Sequence, residues 1–89
     1  MVSKDLDIVN RLGLHARAAA KFVKCAGAFE SEIAVERNGR RVNGKSIMGI
    51  MTLAAAYGTS IRLEADGVDE AAAVAALTQL IAGRFGESE

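Results

Sequence analysis

A loop becomes a helix within the segment Asn10-Arg11-Leu12-Gly13-Leu14-His15-Ala16-Arg17-Ala18-Ala19-Ala20-Lys21. Gly13 allows a sharp turn because it has no Cβ to restrict φ, and the alanines that follow His15 favour a helix. His15, the only histidine of the chain, is therefore predicted to lie at or near the N-cap of the first helix. The first N–H groups of a helix have no partner within the helix, and its dipole adds positive potential at that end. The segment thus predicts an anion-binding site beside a histidine.

A phosphoryl group is the anion that suits this position. Positive potential from the helix end and from Arg17 opposes protonation of His15 and leaves a neutral ring nitrogen as the nucleophile near pH 7. A phosphoryl group on that nitrogen would meet the N–H groups of Ala16, Arg17 and Ala18, and the Arg17 guanidinium could contact its oxygens. The alternative is that His15 only caps the helix or lies in solvent, which is the commoner role of a lone histidine.

Two motifs together resemble a known family. Gly13-Leu14-His15-Ala16-Arg17 is followed further along the chain by Gly44-Lys45-Ser46-Ile47-Met48-Gly49-Ile50-Met51. The pair resembles the histidine-containing phosphocarrier protein (HPr) family of the bacterial phosphotransferase system, and the resemblance runs from the first predicted strand to the last predicted helix. It implies that Nδ1 of His15 accepts a phosphoryl group from phosphorylated enzyme I, which phosphoenolpyruvate charges. It also implies transfer of that group to a histidine of an enzyme IIA.

Two positions bear on regulation. Ser46 is the predicted N-cap of the second helix. The resemblance adds regulatory phosphorylation of Ser46 by an ATP-dependent HPr kinase/phosphorylase, which would bring close to two negative charges to this helix end. Ala18 stands where many family members have proline, and alanine there is familiar in the nitrogen-type regulatory branch and in some proteobacterial members. The sequence therefore leaves open whether the relay serves sugar uptake or regulates nitrogen and carbon metabolism.

Composition and charge favour a small single domain. The 89 residues provide one core, so we expect a single domain over residues 1–89. Lys plus Arg equals Asp plus Glu at 11 each, which argues against bulk attraction to nucleic acid or to an anionic membrane. A single cysteine, Cys25, fits a reducing compartment, and neither a membrane span nor a signal peptide is recognised. We expect a cytoplasmic monomer that needs no metal and no cofactor.

Hydrophobic periodicity predicts the order strand, helix, strand, strand, helix, strand, helix. Asn38-Gly39 between two alternating runs predicts a hairpin, and Asp69 is predicted to cap the last helix. The predicted strands span residues 2–9, 32–37, 40–42 and 60–65, and the predicted helices span 16–27, 47 to about 56 and 70 onward. Residues 83–89 lose the periodicity and are predicted to fray. The predicted fold class is α+β: an open-faced sandwich with a four-stranded antiparallel sheet covered on one face by three helices.

The first predicted helix has two distinct faces. Arg17, Lys21 and Lys24 recur at helical spacing and form a basic stripe. This stripe either is simply the solvated face of the helix or docks an acidic surface on a partner protein. Another face is predicted to pack on the sheet through small apolar residues, namely Ala16, Ala19, Ala20, Val23 and Ala26.

The second predicted helix is too apolar to bury every side chain, because a short helix buries only one face. Ile47, Met48 and Met51 are predicted to form an exposed docking patch, since methionine adapts to partners of different shape. Ile50 and Leu53 are predicted to enter the core. The resemblance implies that this region lies beside the active histidine and forms part of the docking surface, so a charge added at Ser46 would disturb docking directly without a change of fold.

Two rival function classes are open to such a small domain. A domain that binds RNA or a metabolite is disfavoured by the zero net charge, the aromatic content of 4% and the lack of stacking aromatics on the predicted strands. A stand-alone hydrolase is disfavoured because no catalytic set, metal-ligand cluster, general base or water-positioning carboxylate accompanies His15. A site that binds phosphate without activating water suits a carrier.

Overall fold

The four strands form one antiparallel sheet whose spatial order differs from the order along the chain. The computed structural model describes residues 1–89. The strands are β1 (Val2–Asp7), β2 (Glu32–Arg37), β3 (Arg40–Asn43) and β4 (Ser60–Asp66), and the helices are α1 (Ala16–Gly27), α2 (Ile47–Thr52) and α3 (Glu70–Ala82). The sheet has the order β1-β4-β2-β3, and the helices cover one face, which confirms the predicted open-faced sandwich. None of these helices combines the length and apolar character needed to cross a membrane.

The hairpin of β2 and β3 forms where the Asn-Gly pair predicted it. Arg37 pairs with Arg40 across the turn, and φ is positive at both turn residues, 51° at Asn38 and 80° at Gly39. This is the conformation of a type I′ turn, whose twist matches the twist of the flanking strands. The alternation predicted for β4 is also confirmed, since its buried residues are Ile61, Leu63 and Ala65.

Helix α1 has the predicted bounds but faces the core with a different set of residues. Phe22 is fully buried, whereas Ala16 and Ala20 are exposed and Val23 is half-buried. A large aromatic side chain gains more free energy from burial than an alanine does, so Phe22 sets the rotation of the helix about its axis. The buried residues of α1 are Ala18, Ala19, Phe22 and Ala26.

Helix α2 ends earlier than predicted because the chain that follows it supports a neighbouring loop. The N–H of Leu14 donates a hydrogen bond to the carbonyl of Ala55 at 2.9 Å. Ala54, just before, has φ of 50°, which a continuing α-helix does not allow. The segment after α2 therefore holds the loop that leads into His15.

Asp69 does not cap α3 with its side chain. Its carboxylate instead accepts hydrogen bonds from the N–H groups of Glu30 at 2.9 Å and Ser31 at 3.0 Å and from the Ser31 hydroxyl. These bonds, the Ser31 hydroxyl first, lower the pKa of Asp69 below its ordinary value. Asp69 thus fastens the loop before β2 to the start of α3.

The C-terminal residues do not fray, and that prediction was wrong. After α3 a short turn, Arg84–Gly86, brings Phe85 into the core, where it is 1% exposed. A segment can lack periodicity and still be ordered when one large aromatic residue is buried, because that side chain alone contributes substantial burial free energy. The end of the chain is therefore held against the helix face of the sheet.

Candidate functional site

His15 lies at the N-cap of α1, as predicted. Its backbone is extended, with φ of −72° and ψ of 177°, and its carbonyl accepts the N–H of Ala19 at 2.8 Å. The side chain makes no capping hydrogen bond and is 25% exposed. The ring therefore neither caps the helix nor lies freely in solvent.

The first turn of α1 presents backbone donors that are free of protein partners. The N–H groups of Ala16, Arg17 and Ala18 donate to no protein acceptor, and the first bonded amide is that of Ala19. The Arg17 side chain is exposed and makes no hydrogen bond or ion pair within the chain, while its charge acts on Glu87 nearby. Free amides at a helix N-terminus bind anions. Donors for an anion are thus available next to His15.

A carboxylate, Glu87, contacts the His15 ring. Its Oε2 lies 2.5 Å from His15 Nε2, and its Oε1 accepts a hydrogen bond from Asn10 Nδ2 at 3.0 Å. The Glu87 side chain is only 13% exposed. Its pKa lies below the ordinary value of 4.5, first because of the hydrogen bond from Asn10 and second because of the one from His15. Glu87 is therefore ionised and acts as a hydrogen-bond acceptor at neutral pH.

Sequence reasoning missed both Glu87 and Asn10. No carboxylate was predicted beside His15, because 72 positions separate Glu87 from His15 and no local pattern connects them. The available signal was Phe85, a large aromatic residue in an otherwise polar terminal segment.

Each oxygen of Glu87 is engaged, one by the ring and one by Asn10, so the carboxylate is already hydrogen-bonded to protein groups. No group of three or more His, Cys, Asp or Glu side chains is placed to hold a metal ion.

The chain on either side of Glu87 is fastened to the body of the protein. Lys21 Nζ donates to the carbonyl of Phe85 at 2.6 Å. The N–H of Arg11 donates to the carbonyl of Glu89 at 2.9 Å, and their side chains form an ion pair at 3.3 Å. Lys21, predicted to dock a partner, is thus also used within the chain, whereas Lys24 is exposed and forms no such bond.

Ser46 occupies the predicted cap of α2. Its Oγ accepts the N–H of Gly49 at 3.0 Å, and the residue is partly exposed. An N-cap hydroxyl of this kind satisfies one of the free amides of a helix start. The capping role is therefore confirmed.

The apolar residues of α2 divide as predicted between surface and core. Ile50 and Leu53 are buried. The other three are exposed, by 42% for Ile47, 72% for Met48 and 40% for Met51. Helix α2 packs against α1, so this exposed patch lies on the helix that neighbours the His15 helix.

Comparison with known proteins decides the family. A family model described as the PTS HPr component phosphorylation site matches residues 2–83. The chain belongs to the HPr family. The phosphocarrier protein HPr of Neisseria meningitidis serogroup B is 60% identical over 89 residues, which is 100% of both chains, and that of Cupriavidus necator is 55% identical over the same full length. The crystal structure of HPr-C-His from Thermoanaerobacter tengcongensis superposes with a TM-score of 0.97 at 47% identity, covering 100% of each chain.

Membership of the HPr family makes this chain a phosphocarrier of the phosphotransferase system. It implies interaction with enzymes of that system, such as enzyme I and enzyme IIA. The two rival classes, a nucleic-acid or metabolite-binding domain and a stand-alone hydrolase, are set aside by the full-length match to HPr proteins.

Proposed function

We propose that His15 accepts a phosphoryl group from phosphorylated enzyme I and passes it to a histidine of an enzyme IIA. The observation that carries this proposal is the His15 ring beside three backbone N–H groups that have no acceptor in the protein. An unpartnered helix start next to a nucleophile suits a group that arrives and leaves as an anion. The protein then acts as a stoichiometric carrier, loaded once and unloaded once in each cycle.

The chemistry is an in-line exchange between two histidines. An unprotonated ring nitrogen of His15 attacks the phosphorus, the new N–P bond forms, and the N–P bond to the donor breaks with its electron pair returning to the donor ring. Negative charge on the phosphoryl oxygens is met by the N–H groups of Ala16, Arg17 and Ala18 and by the Arg17 guanidinium. The reverse geometry serves the transfer to enzyme IIA.

Labelled phosphoenolpyruvate and enzyme I provide the direct test. We expect acid-labile label on the wild-type protein, no label on His15→Ala, and movement of the label to an enzyme IIA when one is added. Absence of label from wild type, or equal labelling of His15→Ala, would contradict the proposal.

Docking is proposed to use the exposed side chains of α2 together with the basic stripe of α1. Ile47, Met48 and Met51 supply an adaptable apolar contact, while Lys24 and the exposed part of Lys21 attract an acidic partner surface and speed encounter. The packing of α2 against α1 supports this, because one partner surface can then cover the patch and reach His15.

Ser46 is proposed as a site of regulatory phosphorylation by an HPr kinase/phosphorylase. Its hydroxyl is partly exposed at the start of α2, next to Ile47 of the docking patch. A phosphate would place close to two negative charges beside that patch. Because the partner surface proposed above is acidic, the added charge would weaken docking while leaving the fold in place.

The output of the relay is a separate matter, on which Ala18 is the relevant observation. Many family members have proline at this position, and alanine is familiar in the nitrogen-type branch. A relay that regulates nitrogen or carbon metabolism is therefore the second candidate function, beside sugar uptake. A panel of enzyme IIA proteins from both branches, presented to the phosphorylated protein, separates them. Preferential transfer to sugar-specific acceptors indicates uptake, and preferential transfer to nitrogen-type acceptors indicates regulation.

A further inference from the structure

We propose that Glu87 is a positioning residue that keeps a proton on Nε2 of His15 and so presents Nδ1 as the nucleophile. This inference rests on the proposed phosphoryl transfer and adds to it a residue from the opposite end of the chain. A neutral imidazole carries one N–H, and its other nitrogen is an acceptor. Which nitrogen holds the proton is set by the hydrogen bond that the ring makes. The 2.5 Å contact between His15 Nε2 and Glu87 Oε2 is the hydrogen bond that the ring makes within the chain.

Because Glu87 is ionised, it is the acceptor of this hydrogen bond and His15 Nε2 is the donor. An ionised carboxylate can only accept hydrogen bonds, so the proton between the two groups belongs to Nε2. The hydrogen bond from Asn10 to Oε1 favours the ionised form. With Nε2 protonated, the lone pair of a neutral His15 ring lies on Nδ1.

Asn10 connects Glu87 to the loop that leads into His15. The Asn10 side chain is fully buried, and its Nδ2 donates both to Glu87 Oε1 at 3.0 Å and to the carbonyl of Gly13 at 2.8 Å. Both partners only accept, which fixes the orientation of the amide. Its Oδ1 has no protein partner, and a buried acceptor left unpaired costs stability. Asn10 is thus placed for its two donations, one to the loop and one to the carboxylate.

The turn before Glu87 is strained, and other contacts hold it. Arg84, Phe85 and Gly86 have consecutive φ values of 59°, 54° and 79°, in the left-handed region that non-glycine residues rarely occupy. Burial of Phe85 and the hydrogen bond from Lys21 to its carbonyl offset that strain. These contacts hold the terminal segment in a strained conformation, and that conformation places Glu87 at one defined position beside His15.

The arrangement also separates the carboxylate from the transferred group. Glu87 bonds Nε2, while the phosphoryl group is attached to Nδ1 on the other side of the ring. The carboxylate can therefore keep its hydrogen bond throughout loading and unloading. Because it stays on Nε2–H, it is not placed to activate water against the phosphoryl group.

The experiment measures the His15 ring in the unphosphorylated protein and the transfer rate separately. Nitrogen and proton NMR of wild type should show a protonated Nε2, an unprotonated Nδ1 in the neutral ring, and a far-downfield Nε2–H resonance from the short hydrogen bond. In Glu87→Ala that resonance should be lost to exchange with water. The maximal rate of loading by enzyme I should fall about tenfold, by analogy with the carboxylates that orient metal-bound histidines, with little change in the apparent KM.

Glu89→Ala is the matched control, because the Glu89 carboxylate lies in the same terminal segment but pairs with Arg11 and not with His15, and the backbone hydrogen bond from Arg11 to Glu89 stays in place. It should keep the Nε2–H resonance and the loading rate. Glu87→Gln keeps the size of the side chain, and its amide either accepts from Nε2–H through a weaker bond or donates to Nε2 and moves the ring proton to Nδ1. In both cases the nitrogen and proton chemical shifts of the His15 ring should differ from those of wild type, because they depend on the side chain at position 87.

The outcomes separate this inference from the proposed function. An unchanged His15 spectrum and unchanged or faster loading in Glu87→Ala would overturn the positioning role while phosphoryl transfer stood. Failure of wild type to become labelled, with the Glu87-dependent Nε2–H resonance present, would overturn the transfer and leave the tautomer assignment intact. A loading defect in Glu87→Ala that appears only as a higher KM would mean that Glu87 serves docking, which also contradicts the proposal.

Discussion

A Cβ atom added to Gly13 would lie 2.6 Å from the carbonyl oxygen of Ala55. That carbonyl accepts the N–H of Leu14, so the loop before His15 and the segment after α2 approach each other backbone to backbone. Gly13 also has φ of +68°. Both the space and the conformation at this position therefore require glycine.

Gly13→Ala should consequently lower the free energy of unfolding by more than the 1–2 kcal/mol or so that a left-handed φ costs a non-glycine residue. It should also slow loading of His15, because the displaced loop includes the neighbouring Leu14. Gly39→Ala is the control, since φ there is +80° with nothing within 4 Å of the added Cβ. Denaturant unfolding of both variants measures the difference. Equal destabilisation would mean that the contact with Ala55 is unimportant.

The fold could be predicted from the sequence because its signals are local. The Asn38-Gly39 turn, the alternation along β4 and the glycine and alanines around His15 each act within a few residues. The predicted rotation of α1 about its axis was wrong, because the rotation depends on where the Phe22 side chain fits in the core. Glu87 was missed for a similar reason, since its contact with His15 is long-range and depends on burial of Phe85. A feature that depends on tertiary packing cannot be predicted from the residues of a single segment.

Arg17→Ala should slow phosphoryl transfer about a hundredfold, the usual loss when one donor to a developing anion is removed. The guanidinium is exposed and free of protein partners, so its loss should leave the fold and the apparent KM for enzyme I nearly unchanged. Steady-state loading by enzyme I separates the two parameters. Arg62→Ala, which removes the same charge from β4, where Arg62 pairs with Asp5, should transfer at the wild-type rate. A pure KM effect in Arg17→Ala would show that Arg17 serves docking.

Met48→Glu should chiefly weaken docking, because it puts a charge at the most exposed residue of the α2 patch, 72% exposed in the free protein. We expect the apparent KM for enzyme I to rise about tenfold or more, the scale of one central interface residue, with the maximal rate nearly kept. Val68→Glu is the control. Val68 is 87% exposed but follows the end of β4 that is remote from the His15 loop. Equal effects of the two variants would argue against a specific patch.

Glu87 should make the stability of the protein depend on pH in the acid range. Its pKa is lowered from 4.5 in the folded state, so the unfolded chain binds this proton more tightly. The contribution of Glu87 to stability is then complete above about 4.5 and is lost as the pH falls through the lower folded value. The difference in unfolding free energy between wild type and Glu87→Gln should shrink over that range. It should shrink less when Asn10→Ala is already present, because Asn10 is the first cause of the shift. A difference that stays constant with pH would contradict the assigned hydrogen bonds.

Ser46 offers a comparison that separates capping from charge. Ser46→Ala removes the acceptor for the Gly49 N–H and should cost about 1 kcal/mol of stability with little effect on loading. Ser46→Asp keeps an acceptor at the N-cap and favours the helix dipole, so its stability should match that of wild type. Its negative charge lies next to the docking patch, and loading by enzyme I should fall through a higher KM. Circular dichroism measures the helix content, denaturant unfolding measures the free energy of unfolding, and loading kinetics measure the apparent KM and the maximal rate. Equal loading of wild type and Ser46→Asp would remove the proposed switch, and a loading defect shared by both variants would assign the effect to the cap.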